Sequence, residues 1–204
     1  MTLLSKIAII DYGLGNLRSV KIGFEKVGAK ITITNDAKII AENDAIVLAG
    51  VGAFATGMMN LEPLVQTIHD QITSGKTLLG ICLGLQLLFE ESYEGGFTLG
   101  LKILKGKVLN LPNSLKVPHI GWNSLKIINE NPFIASINNG SYVYFAHSYY
   151  AEAKKDNIVS TTDYGIEFPS IVSEKNVFAT QFHPEKSGKV GLQILKNFIN
   201  LLKC

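Results

Sequence analysis

At 204 residues and 47% apolar content, the chain is long enough for one compact domain with a sizeable core, and it reads as one domain over 1–204. Nineteen basic residues against seventeen acidic ones leave a net charge of +2, which gives no electrostatic reason to expect nucleic acid or a membrane surface as partner. Arg18 is the single arginine, which disfavours sites built on forked guanidinium recognition of phosphate.

Lys6 to Ile10 (KIAII) reads as a buried strand. The residues before it lack the long apolar stretch and small-residue cleavage site of a secretory signal, so a reducing, cytoplasmic setting is expected. Asn16 to Val27 reads as a helix with Leu17, Val20, Phe24 and Val27 on one face, closed by Gly28. ITIT (31–34) is a second strand and DAIVLAG (44–50) a third. A helix over Leu61 to Ile72 leads to a fourth strand, KTLLGI (76–81), and another helix follows over Leu83 to Glu90. This alternation predicts an α/β fold with a mostly parallel sheet covered on both faces. Short segments near 101–109, 123–128, 141–146, 158–162, 170–173 and 176–182 are rich in Val, Ile, Tyr and Phe and read as antiparallel additions. Gly188 to Leu202 is a closing amphipathic helix. The apolar run LLGICLGLQLLF (78–89) carries Gln86 and is too short to cross a bilayer.

That run holds the clearest chemical signal. GICLG stands between a buried strand and a helix, the context in which G-x-S-x-G forms a nucleophile elbow. Glycines two positions either side of Cys82 would clear a tight, strained turn. A cysteine opening a helix meets its free N–H groups and the positive end of its dipole, both favourable to a thiolate. The Leu83 N–H would point at an oxyanion. A small core cysteine on a glycine-bearing turn fits the same residues. Cys82 and Cys204 are the two cysteines, and with no C-x-x-C pair neither a metal site nor a disulfide framework is expected.

A nucleophile needs a base and the base an orienter. Of four histidines, His69 reads as a surface helix residue. His183 ends a strand-like run in ATQFHPEKS, and Glu185 lies two residues on, so extended backbone would put both side chains on one face. Cys, His and Glu then follow the chain order of hydrolase-type triads. LAGVGAF (48–54) ends the third strand with Gly50 and Gly52, which free the backbone for close approach to a ligand or simply for a turn. DYGLGNLRS (11–19) opens like a dinucleotide fingerprint, but Arg18 stands where its third glycine belongs.

GICLGLQ together with QFHPE resembles the class I, triad-type glutamine amidotransferases. GVGAF, PHIGWN, HSYY and FHPEKS are similar to the branch that serves as glutaminase subunits of imidazole glycerol phosphate synthase, over essentially the whole chain. The resemblance implies a flavodoxin-like fold with a central mixed, mostly parallel sheet, flanking helices and a smaller antiparallel sheet. It implies hydrolysis of L-glutamine to glutamate and ammonia without a cofactor. Cys82 would attack the amide carbon, His183 would protonate the leaving ammonia, and Glu185 would orient His183. Leu83 and Val51 would supply oxyanion N–H groups, and Gly50, Gly52, Gln86, Glu94, His147, Ser148 and Tyr149 would surround the glutamine. Ammonia would pass to a separate (β/α)8-barrel cyclase subunit, in a heterodimer serving histidine biosynthesis. HIGWN would face that partner with Trp122 as an aromatic anchor, and Asn16, Tyr144 and Lys186 would lie near the interface and the ammonia passage.

One departure stands out. The family usually has proline before GVG, where this chain has Ala49. The resemblance implies that this strand presents the Val51 N–H only after a partner-triggered rearrangement, so alanine there would change the balance between resting and active strand. Two other readings stay open: a glutaminase for another synthase, which would leave PHIGWN unexplained, and a redox-sensing or chaperone-like protein, which would not need His183 and Glu185.

Overall fold

The computed structural model describes residues 4–203; Met1 to Leu3, part of the N-terminal reading, and Cys204 lie outside the described residues. In chain order the first half runs β1 (Lys6–Ile10), α1 (Leu17–Lys26), β2 (Lys30–Thr34), α2 (Ala37–Ala41), β3 (Ala45–Gly50), α3 (Phe54–Leu61), α4 (Val65–Thr73), β4 (Thr77–Cys82) and α5 (Leu83–Leu87). It continues with β5 (Glu91–Ser92), β6 (Thr98–Leu99), β7 (Gly106–Asn110), β8 (His119–Ser124), β9 (Lys126–Ile127), β10 (Tyr142–His147) and β11 (Tyr149–Ala153). The chain closes with β12 (Ile158–Asp163), β13 (Glu167–Glu174), β14 (Val177–Thr180) and α6 (Gly188–Leu201).

Eight strands form the central sheet in the order β2-β1-β3-β4-β14-β13-β12-β9. Pairing is parallel from β2 as far as β14 and antiparallel from β14 outward. β11-β7-β5-β6 make a four-stranded sheet, and β10 with β8 a two-stranded ribbon. Residues on the parallel strands alternate between two cores, as a period of two requires when both faces are covered. Ile7, Ile9, Val47 and Leu79 face α1 and α6, where Phe24 and Phe198 meet edge to face at 5.9 Å. Ala8, Ile10, Ile46 and Leu48 face the side covered by α2 to α5. Asn16 caps α1 by accepting from the Ser19 N–H at 3.3 Å, the kind of contact that stabilises a helix start by about 1 kcal/mol.

Several expected elements differ. The helix expected over Leu61 to Ile72 is preceded by α3 and broken by a 3-10 turn at Glu62–Leu64, where Pro63 sits in the first turn. The helix expected to Glu90 stops at Leu87. The carbonyls of residues 87 to 90 are taken by N–H groups of residues 100 to 104 instead, which also removes residues 101–105 from the expected strand. The strand expected at 123–128 begins earlier, at His119, and breaks after Ser124. The segments at 158–162, 170–173 and 176–182 do not form a separate sheet. β12, β13 and β14 extend the central one, and β14 lies parallel to β4. Among the described residues, no helix is long and apolar enough to cross a membrane.

Candidate active site

The site forms at the C-terminal ends of β3, β4 and β14, where ligands sit in open α/β sheets. β4 ends at Cys82, whose φ of 54° and ψ of −108° lie outside the regions open to ordinary side chains. Strain of this kind costs on the order of 1–3 kcal/mol and persists only where the surroundings enforce it. The flanking glycines show how. A Cβ on Gly84 would collide with the Leu48 carbonyl oxygen, and one on Gly80 would come within 2.9 Å of the Gly84 carbonyl oxygen. Side chains at either position would push α5 off β3 and β4 and open the turn. Because α5 has only five residues, its dipole is that of little more than one turn, less than the sequence suggested. The Leu83 N–H opens that turn, where amides have no helical acceptor.

β3 brings the second element. Gly50 pairs with Cys82 across the ladder, so Val51 and Gly52 leave the sheet beside the nucleophile position. Val51 is exposed, and Gly52 has a φ of +126° that favours glycine. Gly50 is hemmed in from behind, since a Cβ there would collide with the hydroxyl of buried Tyr12.

β14 brings the third. Its pairing of Thr180 with Ile81 carries Gln181 and His183 out next to Cys82. The backbone at His183 is pinned: its N–H donates to the Tyr144 carbonyl at 2.9 Å, and its own carbonyl accepts from Ser187 Oγ at 2.6 Å. His183 Nδ1 meets Glu185 Oε1 at 2.9 Å, with both side chains almost wholly buried. The pair is not formed by two residues sharing a strand face. Pro184–Lys186 is a 3-10 turn that folds Glu185 back under the ring, and Gly23 on α1 leaves room, since a Cβ there would sit 3.3 Å from the Glu185 Cβ. His183 Nε2 is buried with no partner at hydrogen-bond distance, while the Cys82 sulfur still acts on the charge of the ring. Burial alone would lower the His183 pKa, but the Cys82 sulfur and the Glu185 carboxylate outweigh it and raise the value to about 10. A protonated imidazole between the Cys82 sulfur and the Glu185 carboxylate is an acid placed to protonate a leaving amine. The Cys82 sulfur itself lies 3.8 Å from the Ala146 carbonyl oxygen and 3.9 Å from Gln181 Nε2.

A cavity of about 230 Å³ opens over Cys82 and Leu83. Val51, Gly52, Gln86, Glu94, His147, Ser148 and Tyr149 line it, so the structure brings together most of the predicted set; Gly50 lies behind the wall. Glu94 accepts the Phe54 N–H at 2.7 Å through Oε2. Burial raises its pKa, partly offset by that N–H, a carboxylate environment that a substrate ammonium would complete. Gln86 Nε2 donates to the Tyr149 carbonyl at 2.9 Å and to Gln181 Oε1 at 3.2 Å.

His147 is not free for acid–base work. A carbonyl only accepts, so the 2.9 Å contact to Tyr149 O assigns the proton to His147 Nδ1. His147 Nε2 then accepts from His119 Nδ1 at 2.9 Å, and His119 Nε2 from Asn123 Nδ2 at 3.4 Å. Burial lowers the pKa of His147 to about 3 and of His119 to about 4, so both rings are neutral at pH 7. His119 is stacked between Tyr164 and Phe145. PHIGWN therefore does not face outward as a block: strand alternation turns His119 in, while Ile120 and Trp122 stand 62% and 55% exposed.

Of the other residues named for a partner, Tyr144 packs edge-on against Trp122 at 6.2 Å, and Lys186 Nζ lies 5.9 Å from the Tyr144 ring centre. Asn16 stands exposed at the start of α1. His69 is half-buried on α4, outside the cavity. Sequence reasoning missed Gln181, His119 and Tyr12 as members of this environment. All three stood inside quoted motifs, but a neutral buried side chain carries no charge or pairing signature to single it out.

The open-sheet α/β fold, with a strained cysteine at a strand end and a buried His–Glu pair beside it, defines the class of cysteine-dependent amide hydrolases built on an elbow. A family model described as "Glutamine amidotransferase class-I" matches residues 8–201. The subunit HisH of imidazole glycerol phosphate synthase from Caldanaerobacter subterraneus subsp. tengcongensis is 53% identical over 201 residues, covering 97% of this chain and 99% of that protein. The corresponding subunit from Methanocaldococcus jannaschii is 50% identical over 196 residues, covering 96% of this chain and all of that protein. Among solved structures, PurLQS from Thermotoga maritima superposes with a TM-score of 0.75 at 20% identity, covering 98% of this chain and 100% of that one. The chain belongs to the class I glutamine amidotransferase family, in the branch of the HisH subunits of imidazole glycerol phosphate synthase.

Proposed function

We propose that the chain hydrolyses L-glutamine through a Cys82–His183–Glu185 triad and passes the ammonia to a (β/α)8-barrel cyclase subunit in a heterodimer. The observation that carries this reading is the meeting of three strand ends. β4 presents a strained cysteine, β14 leads to an imidazole backed by a buried carboxylate, β3 brings Gly50 opposite Cys82, and the cavity over Cys82 is lined by Glu94. The Cys82 sulfur attacks the side-chain amide carbon of glutamine. The oxyanion that forms is met by the Leu83 N–H and, with the β3 end rearranged by the partner, by the Val51 N–H. The imidazolium of His183 protonates the amide nitrogen, ammonia leaves and a γ-glutamyl thioester remains. Neutral His183 then takes a proton from water, hydroxide adds to the thioester, and glutamate leaves as the thiolate is restored. Glu94 holds the substrate ammonium, with Gln86, His147, Ser148, Tyr149 and Gly52 shaping the rest of the pocket and Gly50 backing its wall. Names of relatives at about 50% identity that are synthase subunits support the cyclase as partner, and Ile120, Trp122, Tyr144, Lys186 and Asn16 form the surface we assign to it. A free reactive thiol suits the reducing cytoplasm.

The test is Cys82→Ser in the complex with the cyclase subunit. Glutamine-driven synthesis is lost, while synthesis from added ammonium continues at the wild-type rate. Loss of both together rejects ammonia transfer.

A further inference from the structure

Gln181 is fully buried, and every polar atom of its side chain is oriented by a neighbour. The Tyr149 carbonyl can only accept, so the 2.9 Å contact fixes Nε2 as the edge of Gln86 that points toward it. The same Nε2 reaches Gln181 Oε1 at 3.2 Å, so Gln181 cannot flip either. Its donor edge is left facing Cys82 Sγ at 3.9 Å. The Ala146 carbonyl, 3.8 Å from the sulfur on another side, can accept a thiol proton but opposes a thiolate. Gln181 Nε2 does the reverse: it only donates, and a donor gains strength when its acceptor is ionised. We propose that Gln181 is a positioning residue for Cys82, holding the sulfur between the strand ends and favouring its charged form. This goes beyond the triad reading and rests on it only where activity is measured. The titratable groups around the sulfur are His183 with Glu185 behind it, Tyr12 at the back of Gly50, and His147 and Glu94 across the cavity. None of them bonds to the Gln181 amide.

The experiment uses the full chain bound to the cyclase subunit and follows alkylation of Cys82 by iodoacetamide against pH, read on the Cys82 peptide by mass spectrometry. Gln181→Met keeps the length and leaves Gln86 on the Tyr149 carbonyl while removing the donor. The alkylation midpoint is expected to rise by about one pH unit, which is about tenfold slower alkylation near neutrality. Glutamine-driven kcat should fall about tenfold with KM changed less than twofold, and ammonium-driven synthesis should be untouched. A side chain that only fills space would leave the alkylation profile superimposed on wild type, and that result overturns the proposal. If Gln181→Met fails to fold, the wild-type complex decides. The Gln181 side-chain amide resonances should titrate with the Cys82 alkylation midpoint and cease to do so in Cys82→Ser; resonances that never titrate overturn the proposal. Alkylation requires no glutamine, so failure of the glutaminase reading remains distinguishable from failure of this one.

Discussion

The glycines around Cys82 can be tested by returning the missing methyl groups. At Gly84 an added Cβ overlaps the Leu48 carbonyl oxygen and also lies 3.3 Å from the Ala49 nitrogen. Both obstacles are backbone of a central strand, so the helix must move. At Gly80 the Cβ meets the Leu88 Cδ1 at 2.9 Å and the Gly84 carbonyl oxygen at 2.9 Å, and the Leu88 side chain can turn away. Overpacking of this kind costs about 1–3 kcal/mol, and the rigid surroundings of Gly84 put it at about 3 kcal/mol or more. Alanine returns about 1 kcal/mol through helix propensity and a less flexible unfolded chain. The clash wins, leaving Gly84→Ala about 2 kcal/mol less stable. For a chain of this size that lowers Tm by about 4–8 °C, with Gly80→Ala roughly half as affected. Because the displacement carries α5 away from β3, the Leu83 and Val51 amides separate. Glutamine-driven turnover should therefore fall by more than 10²-fold at temperatures where the variant is still folded, since one oxyanion donor alone is worth about 10²–10³. Thermal unfolding followed by circular dichroism and turnover in the complex provide the two readings. A Gly84→Ala protein within 2 °C of wild type and of normal activity would refute the clearance argument.

Glu185→Gln keeps the shape under His183 but removes the charge that raises its pKa. Cys82 and Glu185 together raise the His183 pKa to about 10, so with the Glu185 charge gone the imidazolium should be lost at lower pH. The alkaline limb of the glutamine-driven pH–rate profile should move down, and kcat should fall about 10²–10⁴-fold, by analogy with loss of the orienting acid in a serine triad; an unmoved limb counts against the assignment. Glu94→Gln should raise the KM for glutamine at least tenfold with little change in kcat, because a fixed charge partner binds ground and transition states alike. In the wild type, the raised pKa of Glu94 should weaken glutamine binding as pH falls, beginning above the range of an ordinary glutamate. Ala49→Pro fixes φ on the oxyanion strand, and its basal glutaminase activity without the cyclase subunit should be lower than wild type; equal or higher basal turnover rejects the idea that alanine makes the resting enzyme leakier.

Buried parallel strands were plain in the sequence because they are continuous apolar runs closed by glycine or polar residues. KIAII, DAIVLAG and KTLLGI lie within a residue of β1, β3 and β4. α1 was equally plain, with an apolar face at helical spacing, an asparagine before it and Gly28 after it. The one-turn helix α2 was not, because its start depends on a local Asp36 cap to the N–H groups of Lys38 and Ile39 rather than on periodicity. The direction of β14 could not be read from VFATQF either. An apolar strand looks the same whichever way its neighbour runs, and that neighbour, β4, is about a hundred residues away. Cys82, His183 and Glu185 could each be singled out in the sequence, yet the reason His183 and Glu185 meet was misjudged, since a 3-10 turn does the work expected of an extended strand.

The placement of the ribbon β8–β10 joins the two faces of the site. Its inner side supplies the Ala146 carbonyl against the sulfur, the Tyr144 carbonyl that pins His183, and the His147 ring that ends on the Tyr149 carbonyl. Its outer side carries Ile120 and Trp122 into solvent. Among the described residues the ribbon is two strands wide. A load on Trp122 is one cross-strand pair from Tyr144, and Tyr144 is one hydrogen bond from His183. The ribbon is tied to the central sheet as well, where Thr162 Oγ1 donates to the Ser124 carbonyl at 3.0 Å and Asn123 Nδ2 to the Asp163 carbonyl at 2.8 Å. Stacked between two rings and bonded to His147, His119 ties the ribbon to the wall of the cavity over Cys82, which His147 lines.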